Sequence, residues 1–296
     1  MLNYSKFRLF LAFIILLSSN LIHSQSNNKL KPIDVFSLEY VSSPKISPDG
    51  KKVLYVRNFK DIMTDKNYSN IWIIDYDGTN NSPITTGNQN DFDPTWSNSG
   101  DKFTYKSNSD KTIQLYLYVL SQKSNQKLTN LQSSISSVNW SEDDNYLTFT
   151  SFVEKPSDGL IKMPEKPKGA KWNEPAIEID DIKYRSDGRG YLKQGFSQIF
   201  ILPVEGGTPR QITYLNDDAS SPKWLTKNKI IFSANLHDNS DLEPRNSEIY
   251  LIDIISEKIK PLTFRLGPDY NPVVSPNKKE IAYLGFDERY LGYQQN

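Results

Sequence analysis

A serine nucleophile needs a histidine base, and this 296-residue chain holds only two histidines, His23 and His237. His23 lies in an N-terminal stretch that reads as a leader. His237 sits in "SANLHDNSDLEP", between two predicted hairpins, and is expected to be an exposed loop imidazole without a nucleophile beside it. No G-x-S-x-G elbow occurs. The nearest text, Gly195-Phe196-Ser197, lacks the second glycine and falls just before a predicted strand. With no cysteine and one histidine after the leader, the common zinc sets are excluded, and so is thiolate chemistry. "NDFD" (Asn90–Asp93) and Asp217–Asp218 are acidic pairs without EF-hand spacing, and they read as turn-capping carboxylates. No glycine-rich loop follows a strand and opens a helix. The expectation is therefore no catalytic residues, no metal and no cofactor. Charge is balanced, 35 basic against 35 acidic residues, so a nucleic-acid partner is not expected.

What the chain does contain is repetition. "SPKISPDGKKVLYV" (residues 43–56) returns as "DPTWSNSGDKFTYK", "SVNWSEDDNYLTFT", "SPKWLTKNKIIFS" and "NPVVSPNKKEIAYL". The anchors are Ile46, Trp96, Trp140, Trp224 and Val274. An alternating apolar pair follows each, across an Asp/Asn/Gly turn, so each phrase predicts a β-hairpin. A second phrase alternates with the first. From Ile71 to Ile84, Leu115 to Leu128, Ile199 to Ile212 and Ile249 to Leu262 the spacing is always thirteen, and a threonine closes each copy. Two hairpins make a four-stranded unit every 40–50 residues or so, the signature of β-propeller blades.

The predicted fold is all-β: a propeller of WD-like or TolB-like blades, about four and a half of them. Residues 1–24 read as a signal peptide, from Lys6 and Arg8 followed by the apolar run Leu9–Leu17. Residues 25–39 form an N-terminal segment with a short helix. Blades are expected at about 40–87, 88–131, 132–213, 214–265 and 266–296, the last truncated. Residues 152–196 interrupt the third blade. Within this insertion "IEIDDIKYRSDGRGYL" reads as a further hairpin turning at Ser186–Gly190, and exposed Trp172, Tyr184, Arg185 and Arg189 are candidate peptide contacts. Leader and absent cysteine together point to an exported, periplasmic or secreted bacterial protein with no membrane association after leader cleavage.

"LKPIDVFSLEYVSSPKISPDGKKVLYVR", "KGAKWNEPAIEIDDIKYRSDGRGYL" and "SANLHDNSDLEPRNSEIYLID" resemble the propeller of prolyl oligopeptidase family serine peptidases, in the acylaminoacyl-peptidase-like and dipeptidyl-peptidase-like bacterial branch. The resemblance covers about residues 29–296. It implies peptide substrates, a propeller that gates them, and a following α/β-hydrolase domain carrying Ser, Asp and His, which would lie beyond Asn296. A TolB-like binding propeller without activity, or a cell-envelope scaffold docking through the insertion, are the alternatives.

Overall fold

The computed structural model describes residues 29–155, 164–173, 179, 182–287 and 289. The predicted leader lies outside the described residues, as does part of the insertion, including most of "PAIEIDD". The described residues fall into two compact units, 29–40 with Phe59–Asn67, and Val41–Asn58 with the described residues from Tyr68 onward.

In the smaller unit a 3-10 helix spans Pro32–Ser37. Proline suits its first turn, where no N–H partner is needed, and Asp34 Oδ2 accepts the Lys31 N–H at 2.8 Å. The turn Asp61–Asn67 is closed in the same manner: the Asp61 carboxylate accepts the Met63 N–H (3.0 Å) and the Thr64 hydroxyl (2.7 Å).

The strands form successive antiparallel sheets. The first contains β1 (Tyr40–Ile46), β2 (Lys52–Asp61), β3 (Lys66–Asp75) and β4 (Ser82–Pro83). The second has β5 (Asp91–Trp96), β6 (Lys102–Ser107), β7 (Gln114–Val119) and β8 (Ser124–Lys127). The third has β9 (Ile135–Trp140) and β10 (Tyr146–Glu154), followed by a separate small hairpin, β11 (Arg185–Ser186) with β12 (Gly190–Tyr191). That sheet is completed by β13 (Gly195–Pro203) and β14 (Arg210–Gln211). The fourth holds β15 (Ser220–Thr226), β16 (Lys229–Ala234), β17 (Glu248–Asp253) and β18 (Ile259–Pro261). The last described pair is β19 (Asp269–Val274) with β20 (Ile281–Gly285). The expected all-β propeller architecture is thus observed.

The insertion enters between β10 and β13, whose ladder continues inward through Phe152↔Ser197 to Glu154↔Gly195. Gly195-Phe196-Ser197 is therefore inside a strand, not ahead of one, because both chains stay extended and paired. Gly195 has φ 142°, and a Cβ there would collide with the Val153 carbonyl oxygen. This glycine permits close backbone approach.

Three local devices repeat. In the β1–β2 turn, Gly50 at φ 73° closes the bend, and Ser47 Oγ donates to Asp49 Oδ1 (2.6 Å) while accepting Lys52 N–H (2.9 Å). Ser141–Asp143 and Ser275–Asn277 reproduce that bond at 2.7 Å each. The hydroxyl beside Asp49 and the Lys51 N–H hold its carboxyl below the usual range. The fourth copy has no such serine and turns on Lys227-Asn228 alone, between paired Thr226 and Lys229.

Three residues before each anchor, the chain takes a left-handed conformation: Ser43, Asp93, Ser137, Ser221 and Asn271, with φ of 50–55°. In the second to fifth sheets a break in the β-ladder register spans this residue, marking a bulge in the first strand of each. Short polar side chains tolerate that conformation.

The thirteen-residue spacing has a hydrogen-bond cause. Thr85, Thr129, Thr213 and Thr263 each accept, through Oγ1, the N–H of the residue fourteen earlier: Ile71, Leu115, Ile199 and Ile249, at 2.8–2.9 Å. One residue more or less would leave a buried amide unpaired.

The apolar clusters each join two consecutive sheets. Leu54, Val56 and Ile71 meet Phe103, Tyr105 and Tyr118. Leu115, Leu117 and Leu128 meet Trp140, Leu147 and Phe149. Ile199, Ile201 and Ile212 meet Trp224, Ile230 and Phe232, and a smaller group carries Ile249 and Leu251 toward Val274 and Ile281. The anchor indoles add directional ties. Trp96 Nε1 donates to the Lys45 carbonyl (2.9 Å) and Trp140 Nε1 to the Thr95 carbonyl (3.0 Å), in each case one residue before the preceding anchor. Trp224 breaks the series: its Nε1 is buried without a partner.

Candidate functional site

The residues expected to touch a peptide sit on the insertion. Trp172, Tyr184 and Tyr191 are 44%, 45% and 58% exposed, which leaves these aromatic faces available to solvent. The Tyr184 and Tyr191 rings stack across the small hairpin at 6.4 Å, and Leu192 N–H donates to the Tyr184 carbonyl (2.9 Å). Arg185 lies on β11 and Arg189 in the turn that follows, whose N–H donates to the Ser186 carbonyl (3.1 Å). The hairpin thus gathers Tyr184, Arg185 and Arg189 on one short element. Trp172 lies ahead of it, on the described stretch 164–173.

A second polar region was not read from the sequence. In the second and third sheets, the closing threonine also donates to a glutamine: Thr129 to Gln114 Oε1 (2.7 Å) and Thr213 to Gln198 Oε1 (2.8 Å). The same oxygens accept the Leu131 and Leu215 N–H groups, both at 3.0 Å. These are neutral, satisfied knots. In the fourth sheet the corresponding residues are charged. Thr263 donates to Glu248, and Arg265 stands where the other knots have leucine and pairs with fully buried Asp269. His237 is not the exposed imidazole expected from its loop. It is half-buried, with Nε2 4.0 Å from Glu248 Oε1, because the loop folds back over β17. The signal in the sequence was the glutamate itself, one residue ahead of Ile249 where Gln114 and Gln198 stand ahead of Leu115 and Ile199.

Burial pushes the Glu248 carboxyl up, and nearby Asp269 adds to this, while Thr263, His237 and Arg265 pull it down. The folded state therefore favours the protonated acid. This contribution to stability is complete below the ordinary carboxylate value of 4.5 and declines as pH rises through the folded value. Glu248→Gln, which restores the neutral knot, is expected to melt higher than the parent at pH 8, with the gap closing toward pH 4. Thermal melts across that range check it; a variant less stable than the parent at pH 8 would show that Arg265 and His237 hold the carboxylate after all.

Beside this region is a cleft of about 380 Å³ at the end of the fourth and fifth sheets away from the β15–β16 turn. Asp217 and Asp218 line it from the segment entering β15, Asn235 and Arg245 from the β16–β17 connection, Tyr270 from β19 and Phe286 from just past β20. Asp218 Oδ1 accepts the Ser197 N–H (2.7 Å), so this carboxylate braces a neighbouring sheet rather than capping its own turn. Asp217 Oδ1 accepts the Asp218 N–H (2.6 Å), and burial raises its carboxyl. In the other acidic pair, Asp91 is buried and Asp93 bridges Lys106 at 2.8 Å. Among the described residues no group of three His, Cys, Asp or Glu side chains is arranged to hold a metal ion, and no helix is long and apolar enough to cross a membrane.

Successive four-stranded antiparallel sheets, joined face to face by their apolar clusters, define a β-propeller. More particularly, residues 63–243 match the TolB beta propeller domain, and the chain belongs to that family. It is similar to the uncharacterized peptidase YuxL of Bacillus subtilis, 26% identical over 222 residues, covering 74% of this chain and 33% of that one. It is similar to dipeptidyl-peptidase 5 of Porphyromonas gingivalis, 22% identical, covering 92% and 41%. Among solved structures, the acylaminoacyl peptidase of Pyrococcus horikoshii superposes with a TM-score of 0.61 at 18% identity, covering 86% and 39%. The kinship with the propeller portion of prolyl oligopeptidase family peptidases, expected from the sequence, is supported by these relatives. The chain spans about a third to two-fifths of the length of the curated relatives it matches.

Proposed function

We propose that this chain is the non-catalytic propeller region of an exported serine peptidase, and that it controls which short peptides reach a hydrolase domain encoded beyond Asn296. The observation that carries the reading is the match of this chain to one part of longer peptidases. The internal chemistry agrees: His237 Nε2 faces Glu248, not a serine hydroxyl. Trp172, Tyr184, Arg185 and Arg189 are the proposed substrate contacts, as exposed aromatic and cationic groups carried on a loop. The acyl transfer itself would need a serine, a histidine base and an oxyanion hole from the further domain.

Sequencing the coding DNA past codon 296 tests this. Further blades, then G-x-S-x-G with a later Asp and His, are expected. A stop codon soon after the remaining blades would favour the second reading, a TolB-like binding propeller, which the family match supports equally.

A further inference from the structure

We propose that the cleft at the end of the fourth and fifth sheets is a binding site for a primary ammonium group, received by Asp217 and the Oδ1 of Asn235.

Asn235 is 7% exposed, lines the cleft, and its Oδ1 has no hydrogen-bond partner. The orientation of the amide is fixed from its other end, where Nδ2 donates to the Glu243 carbonyl (2.8 Å). The orphaned atom is thus an acceptor, and a buried acceptor left unmet costs free energy that a donating ligand recovers. Asp217 lines the same cleft. Its one hydrogen bond among the described residues is to the Asp218 N–H, and no cation neutralises it at contact distance. Asp218 and Asp241 add negative charge around it, and only Lys183 offsets them. Burial raises the Asp217 carboxyl, and a cation beside it would favour its charged form.

The cleft is therefore rich in acceptors and, with Asp217 and Asp218 against Arg245, net acidic, which selects a donor-rich cation. An ammonium offers three donors, enough for Asp217, Asn235 and a neighbouring hydroxyl such as Ser233. Arg245, which also lines the cleft, is exposed, makes no ion pair among the described residues, and is left to meet a carbonyl or carboxylate of the same ligand. Two sources share this chemistry: the α-amine of a peptide and a lysine side chain. The site does not depend on the peptidase reading, since a purely binding propeller would use it in the same way.

Calorimetric titration of the purified full chain at pH 7 tests the site with three probes. Tetra-alanine amide carries the α-ammonium, Nα-acetyl-lysine amide the side-chain ammonium, and Nα-acetyl-tetra-alanine amide neither. Saturable binding of at least one ammonium probe is expected, and none of the neutral one. Whichever ammonium probe binds identifies the source. Asp217→Asn keeps the acceptor for Asp218 N–H but removes the charge, and is expected to weaken binding by about tenfold or more. Should that variant fail to fold, the parent's own pH dependence serves, with affinity falling as the pH is lowered and Asp217 takes up its proton. Equal binding of the neutral probe, no saturation with either ammonium, or full affinity in a folded Asp217→Asn would each overturn the proposal.

Discussion

Phe103→Ala is expected to lower the unfolding free energy by about 3–5 kcal/mol, read as a fall in the denaturant midpoint at constant slope. Phe103 is fully buried. It sits at the junction of the first and second sheets, with Trp96 edge-on at 5.4 Å and Tyr118 at 5.2 Å. Removing the ring leaves a cavity between two sheets whose backbones are each fixed by their own ladders, so neither can collapse into it. Phe103→Leu, which keeps most of the volume, is expected to cost much less, about 1–2 kcal/mol. Equal losses from the two variants would mean that the sheets do close over the gap.

The second large effect is expected from Thr213→Val, which alters almost no volume. Oγ1 of Thr213 accepts the Ile199 N–H at 2.8 Å and donates to Gln198 Oε1 at 2.8 Å, and Thr213 is fully buried. Valine fills the space and leaves an amide hydrogen without its acceptor and a glutamine oxygen with one donor fewer. At about 1–3 kcal/mol for the unsatisfied buried amide, and about 1 kcal/mol for the second hydrogen bond lost, a loss of roughly 2–4 kcal/mol follows. Thr213→Ser keeps both bonds, and its midpoint is expected within about 1 kcal/mol of the parent. If valine and serine behaved alike, the hydroxyl would be irrelevant and the thirteen-residue spacing would need another cause.

That spacing shows what could be read from the residues alone. The apolar periodicity and the turn residues give the hairpins directly, and the constant interval distinguishes repeated blades from an ordinary sandwich. The interval itself did not disclose its reason, because a threonine fourteen residues from an amide is only a threonine until the strands are paired. The bulges were hidden differently. Ser43, Asp93, Ser137, Ser221 and Asn271 share no side-chain chemistry beyond being short and polar, and what unites them is a backbone angle. Glu248 was visible as a departure from glutamine but not as a buried charge, since the positions of His237, Arg265 and Asp269 around it depend on how the connections fold. The cleft was less legible still. Asp217, Asn235, Arg245, Tyr270 and Phe286 span about 70 residues, with no common interval, and only the stacking of one sheet's end on the next brings them together.

The way each apolar cluster joins only two consecutive sheets has a consequence for the history of such a chain. A unit packed against its immediate neighbours makes no demand on units further along, so a duplicated stretch of coding sequence can be accepted if its two faces match those on either side. The long excursion between β10 and β13 could be taken up in the same way, since it lengthens one connection and disturbs no seam. The exception among the described residues is the ion pair from Lys278 to Glu142, which ties the turn of the fifth sheet to that of the third. A gene gaining or losing a blade there would have to surrender that tie, so the third to fifth sheets are the stretch most resistant to change by whole units.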